Sequence, residues 1–594
     1  MATYSRPGVY IQEVALPQAV QLADVSQSVG AMAGWLNKGS IAAPVLVSSW
    51  SEFVKNFGGL NDSYPTTWAA YNFFANGGRQ LYVQRLAGTG AVAGSIAFND
   101  NSGVTITTTV TAASAATGTV TYTAANAYVA GQTVSITGLS TAAFNLTGVT
   151  IATANATTFT VTNAATGTAV TGATATATVV TVSNPVFTLT ALNPGAWANS
   201  YAAQIIPGGV TNTFGLNIFA VSGTSYTAVE SFTDLSMTST DKNYVRTVIN
   251  TLSAYATIGT VGFDGTKTPY KAATTPTAFS SGADGTLPSR TDYYNAAQSP
   301  ATGAWAAFDV INNPLVIYAP DAAYSATSTL TTQLHGDAMI YAATRDDSFV
   351  VIDTPSGLSA TAAQTNVTAT LAVAAASTTG NIAAAYYPWV NIPDGTKIPG
   401  AVRLQAPGAS VVGQYLATDA TRGVFKTPAG LGNNIALAVS TEHAFTNAEL
   451  DALNTSVDPI NAIRQVPGAG IVIMGGRTLD NTSNNRYINI RRSLYFIEKQ
   501  IKDLSQFALF ESNDSRLWSQ LRTTINSFLL NYWQQGGLRG TSPVDAYYVK
   551  VDASTTTFAD IQNGRVNIEV GVALQYPAEF VVIKLGQLTG SATA

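Results

Sequence analysis

The sequence predicts a multidomain chain of mixed α/β and α+β class, and three observations lead to that reading. Two apolar runs, Asn313–Tyr318 and Ser348–Asp353, flank a helical stretch holding Leu330, Leu334, Met339 and Ile340. That is the pattern of a βαβ unit with buried parallel strands. No charged side chain occurs between Asp100 and Glu230, and threonine–valine alternation recurs there. Such alternation predicts short strands. Further on, Ile490, Leu494, Ile497, Ile501 and Leu504 follow helical spacing and precede strand-like segments.

In chain order, residues 1–25 predict an extended arm. Pro7-Gly8 marks a turn, and Val9, Ile11, Val14 and Leu16 give only short strand-like stretches. The segment is too thin to bury itself, so it is either a loose tail or a strand added to a sheet edge elsewhere. Residues 26–98 predict mixed α/β structure: a strand at Val45–Val47, a helix capped by Ser51 through Phe57, a second helix with Trp68, Tyr71, Phe73 and Phe74 ending at Asn76-Gly77-Gly78, and a strand at Leu81–Val83. Residues 99–185 predict an inserted β-sandwich, from the alternation in Thr105–Val110, Thr119–Tyr122, Thr133–Ile136 and Thr158–Val161. Residues 186–460 return to the α/β body, with 186–229 its first part. Residues 461–594 predict an α+β unit. Its second helix is capped by Asp514, carries Leu517, Leu521, Phe528 and Leu529 and stops at Gly536-Gly537. Strands follow at Tyr547–Val551, at Val566, Ile568, Val570, Val572 and Leu574, and at Phe580–Leu585, before an extended C-terminal tail.

Composition narrows the function. The chain has 594 residues, about four domains' worth. Hydrophobic residues make up 46%, but only 10% are charged, against about 25% in typical soluble chains. A surface so poor in charge favours association, which points to a protein buried in an assembly. The net charge of -5 gives no global case for nucleic acid or an anionic membrane. Residues 461–594 are mildly basic, at net +3 against -8 for the rest. Cysteine is absent, which removes disulfides, thiolate metal sites and cysteine nucleophiles. No apolar run reaches the 18 residues of a membrane span, and the first ten residues have no signal-peptide core.

Catalytic parts are scarce. His335 and His443 are the only histidines, and neither sits in a metal-ligand spacing. Phosphate loops and nucleophile elbows are absent, and Gly88-Thr-Gly90 does not fit the dinucleotide pattern. Asp346, Asp347 and Asp353 are the candidates for a glycosidase-like carboxylate pair. Arg345 beside the first two and Pro355 after the third favour a structural role. The expectation is therefore a protein that is not an enzyme and uses no cofactor. A hydrolase acting through Asp353 or Asp419, and a secreted β-rich adhesin, are the competing readings.

Several motifs occur in order. They are Pro7-Gly-Val-Tyr-Ile-Gln-Glu13; Ser48-Ser-Trp-Ser-Glu-Phe53 with Phe57-Gly-Gly59; and Phe73-Phe-Ala-Asn-Gly-Gly78 with Tyr82-Val-Gln-Arg85. Then come Ala384-Ala-Tyr-Tyr-Pro-Trp389, Asp419-Ala-Thr-Arg-Gly-Val-Phe-Lys-Thr-Pro-Ala-Gly430, Gly475-Gly-Arg-Thr-Leu479 and Arg486-Tyr-Ile-Asn-Ile-Arg-Arg492. Across residues 1–98 and 186–590 this order resembles the contractile phage tail sheath proteins. The chain departs from the family pattern at Phe425 and Thr427, where a tryptophan and a Lys-Ala-Pro run are common. The 99–185 insert lies outside the shared pattern.

The resemblance implies a subunit that polymerises with itself in six-fold rings around a rigid inner tube and contracts to drive that tube through a cell envelope. It implies tube, baseplate and terminator proteins as partners, no nucleic-acid contact, no membrane insertion, and a place in a virion tail assembled in the host cytoplasm. It also implies that the arm residues Pro7, Gly8, Val9, Tyr10, Ile11 and Val14 are donated to a neighbour. Val566, Ile568, Val570, Phe580, Val582 and Ile583 belong to the C-terminal strands at the same subunit interface. Arg491, Arg492, Lys499 and Lys502 on the C-terminal helix are the tube-facing candidates.

Overall fold

A computed structural model describes residues 28–579, apart from 101–103, 127, 129–131, 183–184, 270–274, 296–301, 325–327 and 375–379. The chain forms two compact units. One comprises the N-terminal residues to Thr89 together with the chain from Leu287 on; the other is Gly90–Thr286.

The first unit is built on an eight-stranded sheet. Its strands are β1 (Val29–Trp35), β2 (Val45–Val47), β3 (Leu81–Leu86), β4 (Leu315–Tyr318), β5 (Phe349–Asp353), β6 (Ala383–Tyr387), β7 (Ile460–Val466) and β8 (Gly470–Met474). The order is β2-β3-β1-β4-β5-β6-β7-β8. All neighbours from β3 to β7 are parallel, and the outermost strands β2 and β8 run antiparallel. Strand side chains alternate between two cores. Val29, Ala31, Leu315, Ile317, Val350, Ile352 and Tyr387 enter one; Met32, Val316, Tyr318, Phe349, Val351 and Tyr386 enter the other. Both faces are covered, which is why these strands are apolar throughout.

Helices α1 (Trp50–Phe57), α2 (Pro65–Ala75) and α5 (Gly408–Arg422) supply the second core, through Phe53, Phe57, Trp68, Phe73, Val411 and Tyr415. Helices α3 (Ser328–Arg345) and α4 (Ala360–Ala374) supply the first, through Leu334, Met339, Tyr341, Ala363 and Val367. Ser49, not Ser51, caps α1, its side chain accepting from the Glu52 N–H at 3.2 Å. Ser51 lies inside the helix.

Residues 460–474 belong to this sheet and not to the C-terminal unit that the sequence predicted to begin at 461. Ile460, Ala462, Ile463 and Ile471–Ile473 are buried, and β7 pairs directly with β6. Beyond them, α6 (Ile488–Leu504), α7 (Ser515–Gln534) and the two-stranded sheet of β9 (Tyr547–Lys550) and β10 (Glu569–Val572) enclose a small core of Ile497, Ile525, Leu529, Tyr532 and Leu538.

In Gly90–Thr286, the 99–185 insert forms a closed six-stranded barrel, not a sandwich. Strand Val170–Val182 pairs with Val104–Ala116 on one side and Thr133–Thr137 on the other. Closure leaves no free edge, which an uncharged, threonine-rich sheet would otherwise expose. Inward residues such as Val110, Tyr122, Ile136, Phe144, Phe159 and Val161 fill it, with Tyr122 and Phe159 stacked at 5.0 Å between ring centres. Residues 186–286 also depart from the expectation of a return to the main body. Pro185–Ala191 pairs with Ser95–Asn99, and Phe98, Phe187, Phe214, Val245 and Ile249 share a separate core.

Candidate assembly interface

The C-terminal part of the first unit holds the described residues that the sequence placed at an interface. Helix α6 has two buried stripes. Ile490 and Ile497, with half-buried Leu494 and Ile501, form the stripe legible in the sequence. Ile488, Arg492, Tyr495 and Lys499 form a second, also at helical spacing, and all four are buried. Ile488 and Tyr495 join the cores of the body, so α6 is covered on two sides.

Two of the four tube-facing candidates are thereby corrected. Arg492 forms a two-pronged pair with Asp419 of α5: Nη1 donates to Oδ1 at 3.0 Å and Nη2 donates to Oδ2. Its guanidinium also lies 4.9 Å from the Tyr415 ring centre. Lys499 is buried and donates to Asp503 at 2.5 and 2.7 Å. Both charges are spent inside the chain because their stripe faces packing partners. Arg491 is half-buried, 4.0 Å over the Tyr495 ring and 3.7 Å from Asp346. Lys502, in the last turn, is exposed.

Helix α7 starts at Asp514, whose carboxylate accepts from the Arg516 and Leu517 N–H groups at 2.9 and 3.0 Å. Its buried face is Leu517, Leu521, Ile525, Leu529 and Tyr532, with Phe528 half-buried. Strand β10 pairs with β9 in the register Tyr547–Val572, Tyr548–Gly571, Val549–Val570 and Lys550–Glu569. It is shorter than its alternating pattern. Val570 lies in it, while Val566 and Ile568 precede it, all three half-buried. Among the described residues this sheet has no third strand. An isolated two-stranded sheet is marginal, and its outer edges present unpaired N–H and C=O groups. The chain from α6 to β10 also exposes apolar side chains, including Leu509, Phe510, Val544, Tyr548 and Phe558.

The stretch beyond β10 is pinned by residues of the Gly475–Leu479 and Arg486–Arg492 motifs. The Asn489 side-chain amide donates to the Phe425 and Gln575 carbonyls at 2.9 and 2.8 Å. Arg477 donates to Glu579 at 2.9 and 2.7 Å, and the Tyr487 hydroxyl donates to it at 3.2 Å. The chain is thus held up to the point where residues 580–594 begin. Phe580, Val582 and Ile583 lie outside the described residues, as do Pro7, Gly8, Val9, Tyr10, Ile11 and Val14.

The carboxylates of the competing hydrolase reading are structural. Asp353 is wholly buried, accepting from the Tyr318 hydroxyl at 2.7 Å and the Gly408 N–H at 3.0 Å; burial pushes its carboxyl up to about 7. Asp419 is engaged by Arg492, and Asp347 accepts from Arg345 at 2.6 Å. His335 is buried with neither ring nitrogen bonded, and burial lowers it to about 3. His443 lies 3.1 Å from Glu449. Among the described residues, no cluster of three metal-ligating side chains occurs, and no helix is long and apolar enough to cross a membrane.

Residues 480–585 match the family model of the phage tail sheath C-terminal domain. No curated protein matches. Among solved structures, a sheath tail protein from Listeria innocua aligns over 93% of this chain and 96% of its own, with 11% identity and a TM-score of 0.50. The helical sheath of the anti-feeding prophage in its contracted state aligns over 98% and 100%, at 18% identity and a TM-score of 0.49. The contracted sheath of the PVC extracellular contractile injection system aligns over 99% of each chain, at 18% identity and a TM-score of 0.46. These matches are to structural proteins of sheaths and not to enzymes.

Proposed function

We propose, from the match of residues 480–585 to the phage tail sheath C-terminal domain, that this chain is the structural subunit of a contractile sheath. It polymerises around a rigid inner tube and contracts to drive that tube through a target envelope, in a phage tail or a related injection machine. The observation that carries this reading is the two-stranded β9–β10 sheet, which has no third strand among the described residues and lies inside the matched segment. Residues 1–25 have little to pack on their own, and residues 580–594 begin eight positions after Val572, the end of β10. In this reading the arm around Pro7–Val14 and the strand around Phe580–Ile583 each complete the sheet of a neighbouring copy. A donated strand of about five backbone hydrogen bonds, each worth a net 0.5–1.5 kcal/mol, gives a link of several kcal/mol. Such links hold while the bodies rotate as rigid units.

In this reading the α6–α7 unit faces the tube. Of the four cations proposed to face the tube, Lys502 and Arg491 remain, Lys502 being the exposed one. Tube, baseplate and terminator proteins are the partners, and the energy of contraction resides in the assembly itself.

Electron microscopy of the chain assembled with its tube tests both parts. The intact chain is expected to form long striated cylinders, and deletion of residues 1–24 to leave single subunits. Lys502→Glu is expected to reduce tube-templated assembly several-fold while leaving the subunit's melting temperature unchanged. Normal cylinders from the deletion variant would remove the strand-exchange reading. Normal templating by Lys502→Glu would remove this lysine from the tube interface.

A further inference from the structure

Two adjoining grooves on the first unit meet at Lys426, Ala429 and Gly430. One, of about 460 Å³, runs along the C-terminal end of α5 past Arg422 and Leu431. The other, of about 530 Å³, continues between Gly475-Gly476 and Tyr576. Together they make a trough long enough for an extended peptide, with exposed apolar side chains Leu431 and Tyr576 on its rims.

Its charge is unbalanced. Arg422 and Lys426 lie close enough that the arginine charge, after burial, helps hold the lysine ammonium below its usual range. Neither cation has an acidic partner among the described residues; the Lys426 ammonium donates only to the Thr427 carbonyl at 3.2 Å. Thr427 lies in the same trough, and its buried hydroxyl has no hydrogen-bond partner. Buried hydroxyls are ordinarily satisfied. Two like charges side by side in a groove call for a carboxylate.

We infer that this trough receives the N-terminal arm of a neighbouring copy, with Glu13 of that arm paired to Lys426 and Arg422. The inference rests on the strand-exchange reading above and adds a charged anchor to it: Gln575 and Tyr576 of the trough follow β10 in the chain, so the donated strand runs on from the sheet edge to place Glu13 there. Residues 7–27 carry two acids, Glu13 and Asp24, and no lysine or arginine. The C-terminal segment 580–594 carries Lys584 instead, so charge selects the N-terminal arm. Ser28 lies fifteen positions beyond Glu13, a reach of up to about 50 Å when extended. Asp24 is tethered too near its own body for that span.

A charge swap in the full-length chain tests this. Glu13→Lys and Lys426→Glu are each expected to lower the fraction of protein in sedimentable cylinders about tenfold. The Glu13→Lys/Lys426→Glu pair is expected to recover most of it. Because the chain lacks cysteine, Glu13→Cys/Lys426→Cys can be cross-linked cleanly in assembled cylinders, and a ladder of covalent oligomers is expected. Normal assembly of Lys426→Glu, failure of the swap to rescue, or a cross-link confined to the monomer band would each overturn the inference. Loss of cylinders on deleting residues 1–24 alongside normal assembly of Lys426→Glu would remove the trough and leave strand exchange standing. Normal cylinders from the deletion variant would remove both.

Discussion

Replacing Arg492 by alanine is expected to destabilise the subunit by about 3–5 kcal/mol, because it strands a buried carboxylate. Asp419 and Arg492 are both buried, and each is the other's ionic partner across the seam between α5 and α6. Burial already raises the Asp419 carboxyl, with Arg492 opposing that rise. Once the guanidinium is gone, nothing opposes it, and the charge must be neutralised or the seam must open. The stacking over Tyr415 is lost as well. Arg492→Met combined with Asp419→Leu is expected to recover most of the loss, since apolar replacement of a whole buried pair is often neutral or better. Urea unfolding followed by tryptophan fluorescence measures both variants. An Arg492→Ala cost under about 1 kcal/mol would place this pair with ordinary surface bridges.

The second large effect is a change in the pH dependence of stability on replacing Asp353 by asparagine. Burial lifts this carboxyl from its usual range to about 7. The folded protein therefore holds the proton that the unfolded chain releases above about pH 4. That contribution to stability is complete below pH 4, is lost as pH rises toward 7, and is level above it. The change amounts to about 4 kcal/mol, because each pH step of one between the unfolded and folded values is worth about 1.36 kcal/mol. Asp321, lifted to about 6 by burial, acts in the same direction over a narrower window. His335, lowered to about 3, acts oppositely: its contribution is complete above about pH 6.5 and is lost as pH falls toward 3. The opposing slopes partly cancel in the native chain. Asp353→Asn removes one of them, so its stability relative to the parent is expected to rise steadily between pH 4 and 7. An identical pH profile for the two proteins would show that Asp353 is ionised in the fold.

Much of this fold was legible because local pattern and burial agreed. The apolar runs of β4 and β5 and the helix between them lie in the sheet as their βαβ pattern requires. Asp514 caps α7, and Gly536 ends it with a positive φ of 87°. Other features depend on partners that a one-dimensional pattern does not name. Threonine–valine alternation says which side chains point inward, but not whether the last strand closes on the first. The insert therefore became a barrel through pairings between residues about 65 positions apart, such as Ala175 with Val110. Arg492 and Lys499 look like part of a solvated face in the sequence, because a single apolar stripe implies cover on one side of α6 only. Their spacing with Ile488 and Tyr495 is visible there, but the body that covers them is not. For the same reason the sequence suggests a boundary at 461, where the chain is completing the central sheet.

The central claim is that the β9–β10 sheet is finished by neighbouring subunits. A cryo-electron microscopy reconstruction of the assembled cylinder, with the chain ends traced, tests it most directly. Strand exchange predicts a four-stranded sheet in every copy, with the two added strands coming from the ends of two other copies. Outer edges of β9 and β10 that stay unpaired in the cylinder, or that pair with the ends of their own chain, would contradict it.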